Sequence, residues 1–145
     1  MKLQQLSLFL ENKPGHLLRV CQKLAAAGIN VETMALADTE EFGILRILVK
    51  NPEEAAAILS QDSGPIMKMT DVLAVRVPHQ PGGLARLLQI LGDGQINVEY
   101  MYGFNHVAQE DAVIVLRLDK PDLALNLLAD NNIQVFGPDE LFNHN

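Results

Sequence analysis

The amino-acid sequence predicts an α+β protein built from two copies of one β-α-β-β-α-β unit. The prediction depends on the length of 145 residues, the 48% content of apolar residues and an internal repeat. That length accommodates one ordinary domain or two small domains of about 70 residues each. The apolar content is sufficient for packed cores and argues against general disorder.

The internal repeat aligns residues 6–34 with residues 73–101 without a gap, and 12 of the 29 columns are identical. After a two-residue insertion near positions 105–111, residues 43–59 align with residues 112–128. The first-copy members of the identical pairs are Leu6, Pro14, Gly15, Leu17, Arg19, Gln22, Leu24, Ile29, Asn30, Val31, Glu32 and Met34. The repeat predicts one domain at 1–70 and a second at 71–145.

The first half of each copy predicts a strand, a helix and a second strand. The run LSLFL is β-prone and is followed by a turn that contains Pro-Gly. The next run, HLLRVCQKLAAAG, has apolar residues at helical spacing, and Gly28 is expected to end the helix in the left-handed conformation. INVETMALA then predicts the second strand, and DTEEFG predicts the polar turn of a hairpin.

The second half of each copy predicts a strand, a helix and a short last strand. GILRILV is almost continuously apolar, as expected for a central strand. The sequence Asn51-Pro52-Glu53-Glu54 predicts the start of a helix capped by the asparagine, which should extend to about Gln61. IMKMT and residues 133–136 predict the last strands. The resulting fold is ferredoxin-like, with two helices on one face of each antiparallel sheet.

Composition and motifs exclude several classes of function. A net charge of −7 disfavours binding to nucleic acid or to an anionic membrane surface. The single cysteine, Cys21, excludes an internal disulfide and a multi-cysteine zinc site. No apolar run approaches the length of a membrane span, and the N-terminus does not resemble a signal peptide. We therefore expect a cytoplasmic protein.

No signature of catalysis is present in the sequence. Nucleotide-binding glycine motifs, a GxSxG nucleophile and an HExxH metal motif are all missing. The four histidines are scattered without the close spacing of metal ligands. We predict a protein that is not an enzyme, with no catalytic residues, no metal and no cofactor.

The two Pro-Gly turns have two interpretations. Residues 12–16 and 79–83 each place Pro-Gly directly before a predicted helix, which is an ordinary way to turn a chain. Glycine also lets a ligand approach the backbone closely, and the N–H groups of a first helical turn favour a carboxylate. Asn30 and Asn97 could add an amide that accepts a hydrogen bond from an ammonium group and donates one to a carboxylate.

The chain resembles tandem ACT domains. The resemblance rests on ENKPGHLLRVCQKLAAAGINVETM and HQPGGLARLLQILGDGQINVEYM and covers about residues 3–137. It is similar to small stand-alone tandem ACT proteins that carry no catalytic domain. The resemblance implies an amino-acid-binding regulatory protein whose ligand lies between two paired domains. An alternative is an interaction subunit that docks on an amino-acid biosynthetic enzyme without a ligand of its own.

The resemblance implies a ligand-binding set in the two loops and at the start of each second strand. Tyr100 joins this set because the segment 99–104 is aromatic, although such a segment also fits a packed domain interface. The full set is Asn12, Pro14, Gly15, His16, Leu17, Asn30, His79, Gly82, Gly83, Leu84, Asn97 and Tyr100. We expect Asn12 to act with Asn97, and His79 with Asn30.

The resemblance also implies how the domains assemble. The strands near 30–36 and 97–103 are expected to pair edge to edge into one eight-stranded sheet within the chain. An uncovered apolar face with residues such as Leu8 or Leu45 is then expected to drive formation of a homodimer.

Overall fold

The computed structural model describes residues 1–38, 41–61, 64–104 and 111–142. The chain divides into two compact units. Gln4–Thr70 forms the N-terminal unit, whereas Met1–Leu3 and Asp71–Asn145 form the C-terminal unit. The predicted hairpin turn at 38–43 and the insertion near 105–111 lie partly outside the described residues.

The N-terminal unit has the predicted β-α-β-β-α-β order. Its elements are β1 (Leu3–Glu11), α1 (His16–Ala26), β2 (Val31–Asp38), β3 (Phe42–Val49), α2 (Pro52–Leu59) and β4 (Ile66–Val77), which continues into the C-terminal unit. The strands are adjacent in the order β2-β3-β1-β4, and β3 pairs antiparallel with both β1 and β2. The ferredoxin-like prediction is confirmed for this unit, and β3 is the central strand that its apolar run indicated.

The C-terminal unit repeats this order and adds a helix. After β4 it contains α3 (Gly83–Asp93), β5 (Val98–Phe104), β6 (Ala112–Leu118), α4 (Pro121–Asp130), β7 (Val135–Phe136) and α5 (Pro138–Phe142). Strand β6 pairs antiparallel with β4 and β5, and β7 pairs antiparallel with β4. The sequence pattern did not predict α5. Its Phe142 ring lies 6.4 Å from the ring of Phe104.

Each unit has its own hydrophobic core between its sheet and its two helices. In the N-terminal unit, Leu8 of β1 and Leu45 of β3 are fully buried in one cluster with Leu24 of α1 and Leu59 of α2. The burial of one leucine side chain contributes roughly 1.5–3 kcal/mol. The C-terminal cluster uses the corresponding strands and helices, and contains Leu73, Val75, Val77, Leu87, Leu91, Ile96, Leu116, Leu118, Ala124 and Leu128.

The position of Leu8 and Leu45 corrects one expectation. Both side chains face the helices rather than an uncovered face, and neither is exposed. Alternate residues of a strand point to opposite faces, so Leu8 shares the helix face with Leu6 and Leu10. Leu8 and Leu45 therefore cannot drive the association of two chains.

The expected pairing of the second strands within the chain is also wrong. Among the described residues, β2 pairs with β3 and β5 pairs with β6, so each is the outer strand of its own unit. The reason is chain connectivity. The chain leaves the N-terminal unit along β4, at the opposite side of that sheet from β2. Both second strands consequently keep one edge without a strand partner in the described residues.

The start of α2 follows the sequence in part. Pro52 begins the helix, and Glu53 and Glu54 lie in its first turn, where a helix dipole favours acidic groups. Asn51 occupies the cap position, but its side chain forms no capping hydrogen bond. The prediction that the Asn51 side chain caps this helix is therefore wrong. The helix ends at Leu59 rather than near Gln61.

The first helix of each unit ends in the same left-handed turn. Gly28 has a φ of 72°, and Gln95, its counterpart in the repeat, has a φ of 59°. The Ile29 N–H donates to the carbonyl of Leu24 over 2.9 Å, and the Ile96 N–H donates to that of Leu91 over 2.9 Å. A residue with a Cβ is strained in this conformation, whereas glycine is not.

Replacing Gln95 with glycine is therefore expected to raise the free energy of unfolding by about 0.5–1 kcal/mol. The Gln95 carbonyl would still accept the hydrogen bond from the Lys120 Nζ, now 3.0 Å long. The matched control is Gly28→Gln, which should lower the free energy of unfolding by about 1–2 kcal/mol. A Cβ at Gly28 would meet no atom within 4 Å, so backbone strain alone is tested. Urea denaturation measures both changes, and a Gln95→Gly variant no more stable than the native chain would contradict the prediction.

Candidate functional site

The two Pro-Gly loops have the same backbone conformation. Gly15 and Gly82 each have a φ of 88° and occupy the cap positions of α1 and α3. The Arg19 N–H donates to the Gly15 carbonyl over 3.0 Å, and the Arg86 N–H donates to the Gly82 carbonyl over 3.0 Å. The repeated glycine thus directs the chain into each helix in the same way, despite different neighbouring side chains.

Neither helix start is closed by a side chain. No side-chain capping hydrogen bond is present at α1 or at α3. The first N–H groups of an α-helix have no acceptor inside the helix. The N–H groups of Leu17 in α1 and Leu84 in α3 are at such positions without an acceptor inside the helix. Such groups, at the positive end of the helix dipole, favour an anionic ligand.

The first loop carries a local ion pair. The Lys13 Nζ lies 2.9 Å from the Glu11 Oε2. This hydrogen bond lowers the pKa of Glu11 below its ordinary value and raises the pKa of Lys13. Asn12 between them is exposed, and its N–H donates to the Glu41 carbonyl over 3.1 Å. Asn12 is therefore an exposed residue that lies in sequence between the two members of an ion pair.

The second loop differs in three positions, one of which places Gln80 where the first loop has Lys13. His79 stands in the place of Asn12 and is also exposed. Gly83 stands in the place of His16 and is buried, and a Cβ there would approach the Pro78 carbonyl oxygen to 2.1 Å. Only glycine fits at this point of the second loop without a local shift.

The predicted asparagines lie immediately before the second strands. Asn30 precedes Val31 and Asn97 precedes Val98, and both side chains are exposed. The backbone of Asn97 is fixed by Asp119, whose carboxylate accepts from the Asn97 N–H over 2.9 Å. The cross-domain combinations Asn12 with Asn97 and His79 with Asn30 depended on the pairing of β2 with β5, which the chain does not form.

The aromatic segment on β5 has side chains on both faces of its strand. Tyr100 and Tyr102 are half-buried, Phe104 is buried, and Met101 between them is 42% exposed. Tyr100 lies opposite Arg117 of β6 in the strand register, and Arg117 donates from its Nη1 to the Asp71 carbonyl over 2.9 Å. Within the C-terminal unit, this segment contributes to packing through Phe104 and leaves Met101 at the surface.

A cavity lies beside the start of the first helix in each unit. The cavity of the C-terminal unit has a volume of about 270 Å³ and is lined by Gly82, Gly83 and Arg86 among others. The cavity of the N-terminal unit is larger, about 610 Å³, and contains His16 and Arg19 in its lining. Of the twelve predicted ligand residues, three therefore line cavities, namely His16, Gly82 and Gly83.

The described residues contain no group of three or more His, Cys, Asp or Glu side chains arranged to hold a metal ion. No helix in the described part of the chain is long and apolar enough to cross a membrane.

The fold and the repeated loops agree with comparisons to known proteins. The profile of the ACT domain pair matches residues 1–144, nearly the whole chain. The chain belongs to this ACT family. The protein BT0572 of Bacteroides thetaiotaomicron, a solved structure, is 33% identical and has a TM-score of 0.91, with 99% of this chain and 98% of that chain covered.

Two further proteins, one similar in fold and one similar in sequence, are regulatory subunits by name. The regulatory subunit of aspartate kinase from Thermus thermophilus has the same fold, with a TM-score of 0.64, 19% identity, and coverage of 88% of this chain and 91% of that one. The acetolactate synthase small subunit of Buchnera aphidicola is 33% identical over 75 residues, which are 52% of this chain. The match spans about half of that relative, 46% of its length. Part of this chain is thus similar in sequence to one regulatory subunit, and the chain shares its fold with another.

Sequence reasoning missed the residues that give the ACT cavities their chemistry. Arg19 and Arg86 are identical in the repeat and line equivalent cavities, so their identity was a usable signal. Phe9 and Phe42 carried no such signal, because their counterparts in the second copy are Arg76 and Asp111. Cys21 is half-buried on α1.

The second ACT loop should be sensitive to any side chain at Gly83. Gly83→Ala is expected to lower the free energy of unfolding by about 1–3 kcal/mol, because the new methyl group would overlap the Pro78 carbonyl. Gly92→Ala in the same helix is the control, since a Cβ there meets no atom within 4 Å. Alanine has the higher helix propensity, so this control should be stabilised by up to about 1 kcal/mol. Thermal unfolding measures both, and equal effects would refute the argument.

Proposed function

We propose that this ACT domain pair is a non-catalytic regulatory protein that binds a free amino acid at its Pro-Gly loops. The observation that carries the proposal is the repeated loop geometry. A left-handed glycine precedes an uncapped helix start in both units, so backbone N–H groups are available to a carboxylate. Family membership supports a regulatory role for that site.

An amino acid fits the chemistry of the proposed site at both of its charged ends. The N–H groups at the start of α1 would donate to the ligand carboxylate. The amide of an asparagine offers an oxygen to the ligand ammonium group and an NH₂ to the carboxylate. Asn12, Asn30 and Asn97 are all exposed, which makes these amides accessible.

We further propose that a second copy of the chain completes the site. Strands β2 and β5 are outer strands, and the apolar side chains of Met34, Leu36 and Met101 are 42%, 55% and 42% exposed on them. An apolar edge strand is a template for pairing with another chain. In such a homodimer, Asn12 would act with Asn97 of the partner subunit, and His79 with Asn30 of the partner subunit.

The two combinations should differ in strength. Asn12 retains an amide with both donors and an acceptor, whereas neutral His79 has one donor and one acceptor and becomes donor-only when protonated. Tyr100 lies near Asn97 in sequence and could form the wall for the ligand side chain. The combination of Asn12 and Asn97 is therefore the stronger proposed site.

The amino-acid hypothesis predicts specific stabilisation. In a thermal-shift screen of the common amino acids, a ligand at 100 times its dissociation constant should add about 2.7 kcal/mol to the free energy of unfolding. Asn97→Ala should weaken binding of that amino acid by about 1–3 kcal/mol, because a ligand group loses its hydrogen-bond partner. Asn30→Ala, the matched variant, should cost less. Calorimetric titration decides between them, and a larger loss for Asn30→Ala would reverse the assignment.

The edge-pairing hypothesis predicts a dimer that a charge on β2 disrupts. Light scattering should give a mass twice the 16.0 kDa of the chain at micromolar concentration. Met34→Lys should shift this mass toward the monomer, because a charged side chain on an edge strand opposes strand pairing. Leu123→Lys is the control, since Leu123 is 43% exposed on α4 rather than on an edge strand. A native chain that remains monomeric would contradict the assembly.

A second candidate function is that of a subunit that docks on an amino-acid biosynthetic enzyme without its own ligand. The observation that favours it is the similarity to an acetolactate synthase small subunit and to a regulatory subunit of aspartate kinase. If no amino acid stabilises the chain in the thermal-shift screen, this second function becomes the better explanation of the exposed edge strands.

A further inference from the structure

The cavity of the N-terminal unit combines an apolar wall with a cationic wall. Phe9, Phe42 and Ile66 line it and are 40%, 47% and 77% exposed. Arg19 and Lys23 provide the cationic side chains from α1, and His16 lies on the same side of the helix. Its volume of about 610 Å³ lies within the range of small-molecule sites.

The corresponding repeat positions in the C-terminal unit carry charged side chains. Arg76 and Asp111 take the repeat positions of Phe9 and Phe42, and the Arg76 Nε lies 2.6 Å from the Asp111 Oδ2. The Arg76 Nη1 also donates to the Gln134 Oε1 over 3.3 Å. The C-terminal cavity is correspondingly smaller, about 270 Å³. At these two repeat positions the C-terminal unit thus has an ion pair, whereas the N-terminal unit has two exposed aromatic side chains.

The cations of the larger cavity have little compensation from the described residues. Arg19 forms no ion pair or side-chain hydrogen bond with the residues that the structure describes. The Lys23 Nζ makes one long hydrogen bond, 3.4 Å, to the Gln61 carbonyl. Glu11 is the one described carboxylate in the lining, and it already pairs with Lys13 over 2.9 Å.

We infer that this cavity binds a small monocarboxylate with an apolar body and no ammonium group. The carboxylate would pair with Arg19 and Lys23, and the apolar body would lie against Phe9, Phe42 and Ile66. An α-ammonium group would face the same cations, and the one carboxylate that the described residues place in the lining, that of Glu11, already pairs with Lys13. The site therefore selects deaminated acids over amino acids, which separates it from the amino-acid site proposed at the loops.

The test uses 3-phenylpropionate as the probe, with L-phenylalanine and 3-phenylpropan-1-ol as controls of the same apolar size. Calorimetric titration of the full chain should show saturable binding of 3-phenylpropionate. Both controls should bind at least about tenfold more weakly. L-Phenylalanine carries an ammonium group that faces the cations, and 3-phenylpropan-1-ol has no charge to pair with them. Amide chemical-shift changes should concentrate at β1 and α1 of the N-terminal unit.

Substitutions test the assignment to this cavity. Arg19→Ala should weaken 3-phenylpropionate binding by about tenfold, since an exposed guanidinium is lost without loss of core packing. Arg86→Ala, its repeat counterpart in the C-terminal unit, should change binding by less than about twofold. The double variant Phe9→Arg with Phe42→Asp should abolish binding by recreating the ion pair of the second copy. Circular dichroism establishes that each variant is folded.

Several results would overturn the inference. They are no binding of 3-phenylpropionate at millimolar concentration, equal binding of all three probes, or equal losses in Arg19→Ala and Arg86→Ala. Amide chemical-shift changes at β1 and α1 that depend on protein concentration in the absence of any probe would contradict the inference. They would show that a second copy of the chain covers the cavity. The two proposals can fail separately. If no amino acid binds at the loops but 3-phenylpropionate binds as expected, the cavity site is still supported.

Discussion

The packing of leucine side chains between the sheet and its helices is the interaction on which the rest of each unit depends. Leu8 and Leu45 from adjacent strands meet Leu24 of α1 and Leu59 of α2 in one fully buried cluster. Removing one such side chain typically costs about 2–5 kcal/mol. This packing fixes the axis of α1, and the helix axis in turn fixes where the loop before it, with Gly15 at its end, presents its N–H groups.

The repeat made most of the fold predictable, because two imperfect copies reveal which positions the backbone needs. Gly15 and Gly82 are identical and have the same left-handed conformation. Gln95 shows the limit of this logic, since it takes the conformation of Gly28 without being glycine. The terminal helix α5 was missed because it has no counterpart in the first copy. The pairing of the second strands, which the resemblance implied, was wrong because the resemblance does not specify how the two units connect along the chain.

The candidate site was predictable only in its backbone. Pro-Gly before a helix identified both loops, and the structure gives them equal hydrogen bonds. The cavity of the N-terminal unit was not predictable, because Phe9 and Phe42, which line it, lie apart in sequence on two adjacent antiparallel strands. Their counterparts, Arg76 and Asp111, form an ion pair. The informative signal for this cavity is therefore a difference between the two copies and not a residue that they share.

Duplication allows one scaffold to keep the same loop geometry in both units while neighbouring side chains diverge. A repeated loop keeps the same N–H geometry in both units, because Gly15 and Gly82 are needed for the turn itself. The repeat positions of Phe9 and Phe42 are under no such backbone constraint, so they can hold the Arg76–Asp111 pair in one copy and two exposed aromatic side chains in the other. The charged side chains of the second copy do not alter the sheet register, since Leu10–Gly43 and Val77–Ala112 pair equivalently in the two units. The two copies can therefore diverge in what they bind while the packing that positions both loops stays the same.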